Sequence, residues 1–191
     1  MIEDSPIKSR PRYPAKLRLD PTGRRHVVAW LGPVAEAAVA ECLAAAPGKV
    51  AAAVELHGVA GHEGGAITGY GSAAALCDGI AQLLDQARMG LRVYAIGPES
   101  FVWSIDRIAT ARGLGKDEVV GVVAGSLARR VLCVHCKTTH EDVTVSPYRC
   151  TNCHRTLSVR DHFSRRRGAF LGVMANAESP DRLPQPVERF K

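Results

Sequence analysis

The chain has 191 residues, 46% of them hydrophobic, six cysteines and a formal net charge of +6. That length allows one or two domains, at least one with a buried core, and no window approaches the roughly 18–20 apolar residues that span a bilayer. The opening segment MIEDSPIKSRPRYPAK lacks an apolar stretch and carries Glu3 and Asp4, so it reads as neither a secretory signal nor a mitochondrial presequence.

Charge is unevenly distributed. Residues 1–25 hold seven basic and three acidic side chains, residues 26–128 six and ten, residues 129–168 nine and three, and residues 169–191 three and three. An acidic-leaning body thus carries a basic N-terminal segment and a basic region near the C-terminus. Such regions suit nucleic acid, a membrane surface or an acidic protein, and composition does not choose among them.

Residues 1–24 read as a basic, proline-rich arm, because Pro6, Pro11, Pro14 and Pro21 break any helix. His26–Leu31 is a short apolar strand ended by Gly32-Pro33. In the alanine-rich helix that follows, Val34, Val39, Cys42 and Leu43 form the expected apolar face, and Pro47-Gly48 stops it. Val50–Leu56 is a second strand, leading into a glycine-rich loop that runs to Gly71. Ser72 is placed to cap the next helix, where Leu76, Ile80, Leu83, Leu84 and Ala87 recur at helical spacing before Gly90. Leu91–Ile96 is a third strand ended by Gly97-Pro98, Glu99–Arg112 a further helix, and Val119–Val123 a last strand. Strands alternating with helices predict a small three-layer α/β domain over residues 25–125 with a mainly parallel sheet. Cys42 and Cys77 fall inside apolar helical patterns and read as small buried residues.

The remaining cysteines form two C-x-x-C pairs, Cys133/Cys136 and Cys150/Cys153, separated by 13 residues. In an intracellular chain such pairs point to metal or redox chemistry, not a disulfide framework. Each pair sets two thiolates on a tight turn, and two facing turns complete a tetrahedron. Zinc suits four sulfur ligands and brings no redox chemistry. Val143-Thr144-Val145 and the Ser146-Pro147 turn suggest a hairpin between the knuckles, and Leu157 with Val159 a third strand. The reading is a C-terminal zinc ribbon, rubredoxin-like in outline, over residues 129–160. Single-iron rubredoxins usually place glycine after each C-x-x-C, where this chain has Lys137 and His154. Four thiolates close the coordination sphere, so the metal is expected to be structural. His135, His140 and His154 lie outside it.

Other signals in the sequence are weaker. The loop containing Gly64, Gly65, Gly69, Gly71 and Ser72 matches no phosphate-binding fingerprint. His57, His62 and Glu63 flank it with unspecific spacing. No catalytic residue and no cofactor-binding residue is assigned. The stretch RVYAIGPESFVWSIDRIATARGLG resembles the last strand–helix unit of the nicotinamide-binding domain of ferredoxin reductases. It departs from that family's cysteine at the strand end, having Ile96-Gly97-Pro98.

The segment from Asp161 through Val173, with the four cysteines and the trailing Asn176–Pro180, resembles the small-subunit family of bacterial dimethylamine monooxygenase. The resemblance spans residues 25–180 and is most specific over 133–178. It implies a non-catalytic subunit of a cytoplasmic, multicomponent enzyme that oxidatively demethylates dimethylamine to methylamine and formaldehyde with NADPH and dioxygen. The implied partners are a haem-containing catalytic subunit and a reductase subunit carrying flavin and an iron–sulfur cluster, so that haem, flavin, iron–sulfur and NADPH belong to those partners and only Zn2+ to this chain. Residues 161–191 then read as a partner-binding tail, with Phe163, Arg165, Arg166, Arg167 and Phe170 as its contacts, a mixture of arginine and aromatic side chains favoured at interfaces. Two other readings remain. Arg160 and Arg165–Arg167 with a pI near 9.2 suit a nucleic-acid-binding zinc ribbon, although 5% aromatic content gives few stacking platforms. A rubredoxin-like electron carrier would hold iron and be coloured.

Overall fold

The computed structural model describes residues 9–46, 54–59, 67–179 and 181–191. The chain divides into two units, one of Tyr13–Gly125 and one combining the segment up to Arg12 with Ser126–Lys191.

Among the described residues, the first unit has five strands, β1 (Arg25–Trp30), β2 (Val54–Val59), β3 (Ile67–Tyr70), β4 (Leu91–Gly97) and β5 (Val119–Val123), with helices α1 (Pro33–Ala45), α2 (Ala73–Asp85) and α3 (Glu99–Ala111). Every strand pair is parallel, in the order β3-β2-β1-β4-β5. The central strands β1 and β4 are buried along nearly their whole length, as the unbroken apolar runs of strands covered on both faces require. On one face Val27, Ala29, Val93 and Ala95 meet Leu76, Ile80 and Leu84 of α2 and Phe101, Val102 and Ile105 of α3. On the other, Val28, Trp30, Tyr94 and Ile96 meet Ala35, Val39 and Cys42 of α1. The unit is therefore α/β with helices on both faces of a parallel sheet. Cys42 is buried, and burial pushes its thiol up.

Three expectations differ from the structure. The buried face of α1 runs through Ala35, Val39 and Cys42, while Val34 is 60% exposed. Val34 and Val39 are five positions apart, which places them about 140° apart around a helix. The second strand is observed at Val54–Val59, the residues before it lying outside the described ones. Ile67–Tyr70, read as loop, is the edge strand β3. Its β-branched and aromatic residues favour a strand, and the glycines around it hid that preference.

The arm also differs. Leu17 and Leu19 lie in the α1-face core, with Leu17 only 7% exposed; full burial of such a side chain contributes about 2 kcal/mol. Asp20 receives Arg92 Nε at 2.7 Å and its amide donates to the Tyr94 hydroxyl at 2.8 Å. The Arg92 guanidinium holds the Asp20 carboxyl down to about 2. Tyr13 joins the opposite core, donating to Glu99 and accepting from Trp103 Nε1. Prolines forbid a helix here, and an extended chain with alternating leucines needs none.

Close packing of α3 on β5 depends on Gly121. A Cβ there would stand 2.3 Å from Cγ1 of Val102, which is 3% exposed. Gly121→Ala is expected to cost about 1–3 kcal/mol, the usual range for overpacking, seen as a lower midpoint in the tryptophan-monitored urea transition; an unchanged midpoint would show that α3 yields freely.

The second unit contains β6 (Arg129–Cys133), β7 (Thr139–Val143), β8 (Val145–Ser146), β9 (Tyr148–Arg149), β10 (Thr156–Ser164), β11 (Ala169–Met174) and β12 (Val187–Glu188). Five of them form a sheet ordered β7-β6-β11-β10-β9, and β12 pairs with β8. The boundary expected at residue 160 falls inside β10, because Leu157, Val159 and Phe163 are all core positions of one strand. The chain end returns to this unit. The amides of Arg189 and Phe190 both donate to the Thr144 carbonyl, at 2.9 and 3.0 Å. Arg129, 8% exposed, lies between the Phe170 and Phe190 rings, 3.9 and 4.1 Å from their centroids, and donates to Asp161 at 2.8 Å. Burial works against the Asp161 carboxylate, but the Arg129 hydrogen bond and the charges of Arg129, Arg10 and Arg189 outweigh it and lower its pKa.

Candidate metal centre

Each C-x-x-C forms the same turn. The Cys133 amide donates to the Thr138 carbonyl at 2.9 Å, and the Lys137 amide donates back to the Cys133 carbonyl at 2.9 Å. The second turn repeats this, with Cys150 to Arg155 at 2.9 Å and His154 to Cys150 at 3.1 Å. Closing the turn forces the residue after each pair into left-handed backbone: Lys137 has φ 65° and His154 φ 59°. Glycine is the residue at ease there; others carry about 1–2 kcal/mol of strain. His154→Gly is therefore expected to raise stability by about 0.5–1 kcal/mol after glycine's greater unfolded-state freedom is subtracted, measured as a higher urea midpoint of the metal-loaded chain. A lower midpoint would show that the imidazole, not the backbone, governs this position.

The two turns bring four sulfurs together, all within 4.8 Å of one another. Cys133 and Cys153 Sγ lie 3.8 Å apart and Cys136 and Cys150 Sγ 3.6 Å. Four sulfurs about 2.3 Å from a central zinc stand about 3.8 Å from each other, whereas a disulfide holds its sulfurs at about 2.05 Å. The donor set thus fits a tetrahedral thiolate-bound metal. Cys133 and Cys150 are fully buried and pack with Leu157 and Tyr148. Cys136 shares a 3.3 Å hydrogen bond with the Thr138 hydroxyl, and Thr138 holds its thiol low, at about 5.

From sequence, His140 reads as a group on the surface or just outside the ligands, and the structure places it against a ligand. Its Nε2 stands 3.3 Å from Cys150 Sγ, where an N–H can offset thiolate charge, and its ring meets Tyr148 edge-on at 5.2 Å. His135 and His154 are exposed.

The residues expected to touch a partner separate into two sets. Phe163 and Phe170 are buried, 7% and 2% exposed, in a T-shaped pair with centroids 4.9 Å apart. That corrects their expected role, since apolar rings facing each other across β10 and β11 serve the core. Arg165, Arg166 and Arg167 sit exposed on the turn joining those strands, closed by bonds from Arg167 to Ser164 and Gly168 to Arg165 at 3.0 and 3.1 Å. Sequence reasoning missed Arg129, Asp161 and Phe190, whose cluster binds the chain end; an arginine opening an apolar strand gave no periodic signal.

In the α/β unit, His57 pairs through Nδ1 with the Tyr70 hydroxyl at 3.1 Å. His62, Glu63, Gly64 and Gly65 lie outside the described residues. Strand order reverses between β1 and β4, the place where open α/β sheets bind ligands. The helices that begin there, α1 and α3, carry Glu36 and Glu99 in their first turns.

Comparison with known proteins gives two family matches. Residues 5–119 match the N-terminal domain and residues 130–173 the C-terminal domain of the model described as dimethylamine monooxygenase subunit DmmA-like. A protein of Ectopseudomonas mendocina (strain ymp), the heme-dependent oxidative N-demethylase delta subunit, is 41% identical over 107 residues, 56% of this chain and 61% of that relative. The chain thus spans about six-tenths of that relative's length. No solved structure matches.

Proposed function

Since the chain belongs to the dimethylamine monooxygenase subunit DmmA-like family, we propose that it is a non-catalytic subunit of a haem-dependent oxidative N-demethylase. The substrate we assign is dimethylamine. NADPH and dioxygen convert it to methylamine and formaldehyde, one oxygen atom ending in formaldehyde and the other in water. The haem-bearing catalytic subunit and a reductase subunit with flavin and an iron–sulfur cluster are the partners, and the cytoplasm the location. No helix among the described residues is long and apolar enough to cross a membrane.

The observation that carries the reading is the closed cysteine tetrahedron. Cys133, Cys136, Cys150 and Cys153 supply all four ligands zinc takes in a structural site, leaving no position for water or substrate. Zinc there would fix the ribbon and do no chemistry. The chain's part in turnover is then exerted through its surface, with Arg165, Arg166 and Arg167 as docking contacts. The reading is tested by gentle purification of the tagged chain from its native cell. A haem protein and a flavoprotein are expected to accompany it, and removing the chain should lower NADPH-dependent dimethylamine oxidation. Full activity without it would overturn the assignment.

The α/β unit enters the same reading as a scaffold. A dinucleotide places its pyrophosphate on a helix N-terminus, where amide dipoles favour negative charge. Glu36 and Glu99 already place carboxylates at the two N-termini beside the strand reversal. Calorimetry is therefore expected to show no NADPH binding by the isolated chain at micromolar concentration, and a micromolar Kd would refute the scaffold reading.

A further inference from the structure

The hairpin of β10 and β11 carries a cleft of about 800 Å³ lined by Arg160, His162, Val173, Met174, Glu178 and Arg182, among others. Met174 is 40% exposed, a large apolar side chain left beside two arginines. A register shift between Arg160 and Phe163 disturbs the pairing of β10 with β11 at this point; such bulges re-aim side chains. Arg160 and His162 line the cleft and are exposed, while Asp161 between them binds Arg129 at 2.8 Å and Arg10 at 3.5 Å. The one acid of this strand is therefore engaged with other arginines. Neither Arg160 nor Arg182 has a carboxylate partner among the described residues.

Enclosed pockets that bury most of a ligand suit small molecules. This cleft instead sets apolar side chains and cations side by side along the open face of a strand pair. An extended polypeptide has the matching form, presenting alternate side chains about 6.6 Å apart on one face. We propose that the cleft holds an extended acidic segment of a partner protein, its carboxylates on Arg160 and Arg182 and an apolar side chain against Val173 and Met174. Identifying that partner as an oxygenase subunit rests on the function proposed above; the binding chemistry does not. Glu178, the one acid among the described residues of the lining, opposes such a segment.

The test uses the full, metal-loaded chain and a short fluorescein-labelled peptide of alternating glutamate and leucine, read by anisotropy. The parent should bind it, with affinity falling as salt rises. Arg160→Glu with Arg182→Glu should weaken binding about tenfold or more and create binding of the lysine–leucine counterpart. Glu178→Gln should tighten it, and Arg107→Glu, on exposed α3 surface, should leave it unchanged. Metal content and melting midpoint establish that each variant is folded. No binding by the parent, equal binding by the double reversal, or displacement by inorganic pyrophosphate would overturn the proposal, the last by revealing a small-anion site. Peptide binding by a chain that never co-purifies with a haem protein supports the cleft and removes the subunit reading. Co-purification with no peptide binding does the opposite.

Discussion

Cys150→Ser is expected to lose the metal ion and unfold the unit of residues 126–191, while residues 13–125 stay folded. Cys150 is fully buried, 3.6 Å from Cys136 Sγ. A serine hydroxyl remains protonated where a thiolate is needed, so three ligands face a site built for four. Metal binding supplies about 10–16 kcal/mol in small zinc modules and is inseparable from their folding. The core around this site is Cys133, Cys150 and Leu157 with Cys136, Tyr148 and Cys153 packed on it, so the ligands are themselves most of the buried cluster that holds the two turns together. The α/β unit instead has two clusters of its own. Both tryptophans, Trp30 and Trp103, lie in that unit. Their unfolding transition should therefore persist in the variant, while elemental analysis shows zinc gone and the amide resonances of β10 and β11 collapse to the unfolded range. Stoichiometric zinc in the variant would refute the ligand assignment, and iron with visible absorption in the parent would refute zinc.

Arg165, Arg166 and Arg167 replaced together by alanine are expected to leave the zinc and melting midpoint unchanged and to weaken assembly. All three are exposed on the β10–β11 turn, whose closing bonds are between backbone groups. Exposed charge pairs contribute about 0.2–1 kcal/mol each, so the triple change corresponds to about 0.6–3 kcal/mol, or about three- to 150-fold in Kd. Retention of the haem partner on the tagged chain, measured across a salt series, and NADPH-dependent turnover should both fall. Phe163→Ala is the contrasting variant. It removes half of a buried ring pair and should lower stability by about 3–5 kcal/mol, through the core and not the interface. A triple-alanine chain that assembles and turns over like the parent would rule out this turn as the docking site.

The cysteine cluster could be read from sequence because its information is local: two short spacings fix two turns. The strand–helix alternation was legible for the same reason, each element carrying its own periodicity. What escaped depended on distant partners. Ile67–Tyr70 becomes a strand by pairing with β2, and its glycine neighbours spoke for a loop. Leu17 and Leu19 alternate with Lys16, Arg18 and Asp20, a period of two that four prolines obscured. Phe163 and Phe170 sat in a basic run and suggested an interface; only the register that sets them opposite each other turns them inward. Composition identifies which side chains interfaces favour, not which of them the sheet has already taken.

The segment before β1 serves both units: the Ser9 hydroxyl accepts from the Phe163 amide at 3.3 Å and Arg10 reaches Asp161, whereas Tyr13 onward belongs to the α/β unit. The boundary is thus crossed twice by covalent chain, after Arg12 and after Gly125. A single proteolytic nick after Gly125 would not by itself free residues 126–191, because the other piece still carries Ser9 and Arg10, which bind them. Expressed alone, those residues would leave the Phe163 amide without its Ser9 partner and Asp161 without Arg10. Splitting this protein into two independently complete pieces requires carrying the first dozen residues over to the second, for example by circular permutation.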